Sequence, residues 1–170
     1  MAILNKPIIN GIKVELTWDE IQFCQLYGRM RTLIAKGNNL PDTKMGDQDG
    51  AEGDVMGFMG ELAFAKHFNT FPDLGLKSKS GTADGLFKGK FYDVKSSLVE
   101  NAKLLCTLKD NPDVDLYVLA IVKTPIVEIK GWAWKSELVK ESNKTDLGHG
   151  LSYALDQHNL HLFEEQKHEG

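Results

Sequence analysis

The chain has 170 residues, 42% of them hydrophobic and 26% charged, with a formal net charge of −4. That is the size of one domain, and it can bury a core without disulfide or metal staples. No apolar run approaches the roughly 20 residues that span a bilayer, no leader-like order of charged, apolar and small residues opens it, and Cys24 and Cys106 form no close pair. The expected class is a single reduced domain over 1–170, with no membrane partner, in the cytoplasm (the host cell's, if the protein is viral).

Thr17-Trp18-Asp19-Glu20 has the form of a capping box. Ile21, Cys24, Tyr27, Met30 and Leu33/Ile34 follow at helical spacing, and Gly37 supplies a stop. The spacing predicts a helix over 18–36, with Arg29 and Arg31 off its apolar stripe. Residues 37–54 read as a solvated loop or lid. Asp47, Asp49 and Glu52 lie in it, but Gly50 comes too early for a calcium-binding EF-hand loop. A second helix is expected over 55–68, capped by Asp54, with Val55, Phe58, Met59 and Leu62 as its core stripe. Gly57 and Gly60 inside it imply a close neighbour, since each costs about 1 kcal/mol relative to alanine. Glu61 falls between the glycine face and the apolar stripe.

Residues 82–87 and 91–98 read as two strands around a Lys88-Gly89 turn. A short helix is expected over 101–109. Residues 115–122 have the apolar content of a strand covered on both faces, and 126–132 form another strand. A helical turn near 136–140 and a loop over 141–150 come next. Residues 151–163 should pack back on the domain, leaving a frayed polar tail.

Charge is unevenly placed. Between Lys77 and Lys109 stand seven lysines against Asp84, Asp93 and Glu100, a local +4 in an acidic protein. Such a surface can track phosphates, with Lys88 and Lys90 as the leading contacts and Arg29 and Arg31 as the rival site.

Asp93 and Lys95 project from the same side of their strand. With Lys88-Gly89 as the turn, pairing runs 87 with 90, 86 with 91, 85 with 92, and 84 with 93. Asp84 then stands opposite Asp93, a repulsive placement that a cation or proton between the carboxylates relieves. Two hard oxygen ligands suit Mg²⁺ or Mn²⁺. With Lys95 beside them, the set is suited to phosphodiester hydrolysis. Taken singly, Asp93 and Lys95 are a surface ion pair, Asp84-Gly85 is a turn and Glu61 is a solvated helix residue.

Together these residues resemble the PD-(D/E)XK nuclease superfamily, which includes many restriction endonucleases and the archaeal Holliday-junction resolvases. The resemblance spans about 55–140: Gly60-Glu61-Leu62-Ala63-Phe64-Ala65-Lys66, Asp84-Gly85, Tyr92-Asp93-Val94-Lys95-Ser96-Ser97, the 116–122 strand and Ile129-Lys130-Gly131-Trp132. This series is also similar to uncharacterised nuclease-like proteins of bacteriophages. The first acid follows alanine rather than the proline of the motif. The resemblance implies an α/β (α+β) restriction-endonuclease-like fold, with a mixed central sheet flanked by helices. It implies metal ligands Asp84, Asp93 and the Val94 carbonyl, Glu61 binding metal directly or through water, and Lys95 as the catalytic lysine. The partner it implies is DNA, duplex or branched, with RNA and a homodimer left open. The alternatives are a catalytically silent nucleic-acid-binding module and a protein-interaction factor. His158 and His161, three apart, have no zinc-spaced partners. Trp132 and Trp134 can stack on bases or pack the sheet. Ser96 and Ser97 have no relay, and no Walker A fingerprint is present.

Overall fold

The capping box at Thr17 forms as its sequence implies. The Thr17 N–H donates to Glu20 Oε2 at 2.7 Å, and the Glu20 N–H donates to Thr17 Oγ1 at 3.2 Å. In the computed structural model, which describes residues 10–37, 50–76, 82–109 and 111–164, this box starts helix α1 (Trp18–Gly37). Helix α2 spans Gly50–His67. The strands are β1 (Ile12–Glu15), β2 (Gly85–Phe87), β3 (Lys90–Ser97), β4 (Leu104–Thr107), β5 (Leu116–Lys123), β6 (Ile126–Trp134), β7 (Lys144–Asp146) and β8 (Leu151–Leu155), with a short helix α3 (Lys135–Leu138) after β6. The polar tail lies outside the described residues, as does most of the expected lid. The last stretch of that lid, from Gly50, is helical.

The class is mixed α+β, as expected. A five-stranded sheet runs β1-β6-β5-β3-β2, with β3 and β5 parallel and the other pairs antiparallel. Strand β5 is buried on both faces, and its alternation separates two cores. Leu116, Val118, Ala120 and Val122 face α1 and α2. Tyr117, Leu119 and Ile121 face the other way, toward Leu104, Cys106, Leu138 and Leu155. Helices thus cover one face of the sheet. The other carries a second sheet, β4-β8-β7, together with α3.

Several local expectations are corrected. Residues 104–107 form a strand rather than part of a helix, because Leu104 and Cys106 point inward with the two-residue period of an extended chain. The stretch 141–150 contains β7 as well as a 3-10 turn at Glu141–Asn143. Asp54 is no helix cap. It lies within α2, and its carboxylate accepts a hydrogen bond from the Thr32 hydroxyl. The buried side of α1 is Cys24, Tyr27, Gly28 and Thr32, whereas Met30 and Leu33 are exposed. Arg31 consequently turns inward. The 151–163 segment does pack back: Trp132 and His161 exchange backbone hydrogen bonds at 2.9 and 2.8 Å, and Phe163 joins Phe64, Phe68 and Phe87.

The two helix glycines differ. A Cβ at Gly60 would come within 2.0 Å of Ser96 Oγ, so α2 rests directly on β3 there, whereas a Cβ at Gly57 meets open space. The close neighbour inferred for both exists only at Gly60. Gly57→Ala is expected to stabilise the fold by about 1 kcal/mol through helix propensity. Gly60→Ala should lose that gain to the contact, and Gly60→Ala combined with Ser96→Ala should recover it. Urea denaturation of the three variants measures the order.

Candidate active site

Lys88 and Gly89 have φ of 48° and 75°, the left-handed pair that a two-residue hairpin turn requires. The turn fixes the register as read from sequence: Gly85 with Tyr92, Leu86 with Phe91, Phe87 with Lys90. The next pair departs from it. The Asp84 N–H donates to the Tyr92 carbonyl at 2.8 Å, although Gly85 is already the partner of Tyr92. The ladder ends at this point, and Asp84 leaves the hairpin register. Asp84 does not stand opposite Asp93. It is also not within β2, which begins at Gly85. Its Oδ2 instead accepts the Val94 N–H at 2.7 Å, replacing the main-chain partner that β3 lacks beyond the end of β2.

Val94 directs its N–H and carbonyl to the same side of the strand, so its carbonyl lies on the same open edge as Asp84. Tyr92 and Val94 pack into the helix-side core, so Asp93 and Lys95 face the opposite side. Lys95 Nζ lies 2.9 Å from Asp93 Oδ2 and 5.8 Å from the centre of the Tyr117 ring. Glu61 arrives from α2 on the helix side, and only 8% of it is exposed. Arg31 forks onto it, with Nη1 to Oε1 at 3.0 Å and Nη2 to Oε2 at 3.1 Å. The guanidinium also donates to the Asp73 carbonyl at 3.2 Å and lies over Tyr27 and Phe58, 4.9 and 5.3 Å from the ring centres. Of the four residues singled out from sequence, Asp93 and Lys95 are paired on β3, Asp84 is bonded to the intervening Val94, and Glu61 stands on the helix side with Arg31. Arg31, assigned from sequence to a possible DNA contact, is instead the partner of Glu61.

The carboxylates affect one another. Burial pushes the Asp84 carboxyl well above its ordinary range, and the charges of Glu61 and Asp93 push it further, against the Val94 N–H and Lys95. Burial also raises Glu61. Arg31 opposes that shift, and Asp93 and Asp73 add to it. Burial favours neutral Lys95, but the adjacent Asp93 outweighs it and holds the ammonium charged.

Among the described residues, no three acidic, histidine or cysteine side chains are grouped so as to hold a metal ion. Each acid holds a protein partner instead: Asp84 the Val94 N–H, Asp93 Lys95, Glu61 Arg31. The donor set is nonetheless all oxygen and mutually repulsive, which in kind fits a hard divalent cation. A cation drawn to these oxygens would have to compete with Arg31 and Lys95, which hold Glu61 and Asp93.

The raised Asp84 value has a sign. A carboxyl that holds its proton more tightly when folded contributes stability below the ordinary carboxyl range, and this is lost as pH rises through the raised value. In metal-free buffer, Asp84→Asn is expected to flatten this dependence and to melt above wild type on its alkaline side. A divalent cation on Asp84 would compete with the same proton, so its affinity would fall as pH drops through that range. Thermal melts and calorimetric titrations across a pH series read both effects.

Of the remaining candidates, Arg29, Lys88 and Lys90 are exposed, and Lys88 Nζ lies 5.4 Å from the centre of the Phe87 ring. His158 and His161 share no helix. His158 lies in a 3-10 turn, and His161 pairs with Glu137 at 2.8 Å. No helix among the described residues is long and apolar enough to cross a membrane. Compared with protein-family models, curated proteins and solved structures, the chain matches none.

Proposed function

We propose that this protein is a metal-dependent nuclease of the PD-(D/E)XK type that hydrolyses phosphodiester bonds in DNA in the cytoplasm. The observation that supports the proposal is the Asp93–Lys95 pair on β3 with Asp84 bonded to the intervening Val94 N–H, while Arg31 holds Glu61 on the helix side. Asp84, Asp93 and the Val94 carbonyl would hold Mg²⁺ or Mn²⁺, with Glu61 bound to it directly or through water. The ion would supply Lewis acidity toward phosphate and a more acidic water. Lys95, kept charged by Asp93, places a fixed positive group where charge builds on the phosphate. Arg31 holds the Glu61 carboxylate in one orientation. The test is cleavage of labelled duplex, single-stranded and four-way-junction DNA with Mn²⁺, with and without EDTA. EDTA-sensitive cleavage supports the proposal; no cleavage on any substrate counts against it.

A second reading has its own support, because every acid already has a protein partner. A catalytically silent nucleic-acid-binding module on this framework would bind the same substrates and cut none.

Lys88 and Lys90 project from an exposed hairpin. Their joint replacement by glutamine should weaken DNA binding about equally across sequences, because phosphate contacts carry no base information. It should also reduce the salt dependence by a slope of about 0.9 per lost contact on duplex DNA. Binding isotherms over a salt series check this. Normal binding with an unchanged slope would move the substrate to another surface, and the rival is helix α1, where Arg29 is exposed.

A further inference from the structure

Near the start of β3, away from the acid cluster, an open groove of about 550 Å³ lies between Lys90, Val114, Asp115, Trp134 and Lys135. Its walls are tied together through Asp115. The Asp115 carboxylate accepts the Phe91 N–H at 2.8 Å, its N–H donates to the Phe91 carbonyl at 2.9 Å, and its carbonyl accepts the Lys135 N–H at 2.9 Å. These bonds join β3, the entry to β5 and α3, so the groove is preformed, as ligand sites usually are. Lys135 is fixed by a 2.7 Å bond from its Nζ to the Asn111 carbonyl. Trp134 is 37% exposed, and Trp132 meets it edge-on with ring centres 5.0 Å apart. Trp134 is thus a supported indole at the wall of a groove that also holds two lysines.

Aromatic faces beside cationic side chains take a nucleotide, with the base on the ring and the phosphate by the charges. We infer that this groove is a nucleotide subsite, with Trp134 stacking an unpaired base and Lys90 and Lys135 facing its phosphate. This deepens the nuclease proposal and rests on it. The subsite favours DNA with unpaired bases, bound at the start of β3 and apart from the acids.

The experiment is an anisotropy titration of a labelled oligothymidylate in EDTA, which reads binding without cleavage, with an abasic oligonucleotide of equal length as control. The expected order is wild type tightest, Trp134→Phe close behind because phenylalanine still stacks, and Trp134→Leu about tenfold weaker. Lys90→Gln should weaken binding and reduce the salt slope by about 0.7. The abasic strand should bind wild type about as weakly as the oligothymidylate binds Trp134→Leu. Melting curves report whether Trp134→Leu is folded, and the abasic comparison stands on wild type alone. Equal affinity for the two strands, or unchanged affinity in folded Trp134→Leu, overturns the subsite even if the protein cleaves DNA. Stacking-dependent binding by a protein that cleaves nothing upholds the subsite and removes the nuclease.

Discussion

Replacing Lys95 by alanine is expected to reduce phosphodiester cleavage by about 10²–10³, the usual cost of losing a preorganised charge that stabilises a transition state. Lys95 is suited to that role and to no other in the cluster. Its ammonium is held charged beside Asp93, so it is not a base, and it cannot be a metal ligand while it carries that proton. Its side chain is about one-third exposed, so the charge is within reach of solvent. Mn²⁺ affinity should survive the substitution and can rise, because a cation adjacent to Asp93 is gone. Calorimetric titration with Mn²⁺ beside a cleavage time course separates the two effects. Wild-type turnover in the variant would remove Lys95 from the mechanism.

Arg31→Ala should be the most destabilising single change at the site. It leaves Glu61 buried among carboxylates with its forked partner gone. Breaking a fully buried pair costs about 3–5 kcal/mol. The Arg31 side chain is about one-quarter exposed, so about 2–3 kcal/mol is expected here. The loss arises from the stranded charge, and a variant combining Arg31→Met with Glu61→Leu should regain most of it while remaining inactive. Urea denaturation of the single and double variants measures the difference. If Arg31→Ala unfolds at the wild-type midpoint, the fork contributes nothing to the fold.

The parts of this fold legible in the sequence are those set by local chemistry. Thr17 and Glu20 announce the start of α1, Lys88-Gly89 the hairpin, and the unbroken apolar run of β5 its two-sided burial. The candidate residues are picked out in the sequence by the order of helix Glu, Asp-Gly and strand D-x-K, of which the Asp93–Lys95 pair is seen as a contact. What escaped depends on the tertiary neighbours. The departure of Asp84 from the hairpin register is one such feature, and no local propensity at Ala83-Asp84-Gly85 distinguishes it from a regular pair. Arg31 was assigned to solvent because Met30 and Leu33 were counted into the apolar stripe. The packed face of α1 instead runs through Gly28 and Thr32, where a small residue lets α2 approach. A Cβ at Gly28 would lie 2.6 Å from the Val55 backbone, so a glycine in the middle of α1 was the available signal. The strand at 104–107 is too short for periodicity to separate it from a helical turn.

The central claim is that Asp84 and Asp93 converge on one divalent cation. Diffraction from crystals soaked in Mn²⁺, read by anomalous scattering, tests it most directly. The expected result is one anomalous peak within about 2.0–2.4 Å of both carboxylates, the distance range for hard cations on oxygen, with Arg31 still close to Glu61. Absence of a peak at saturating Mn²⁺, or a peak bound elsewhere while Asp93 stays paired with Lys95, would contradict it.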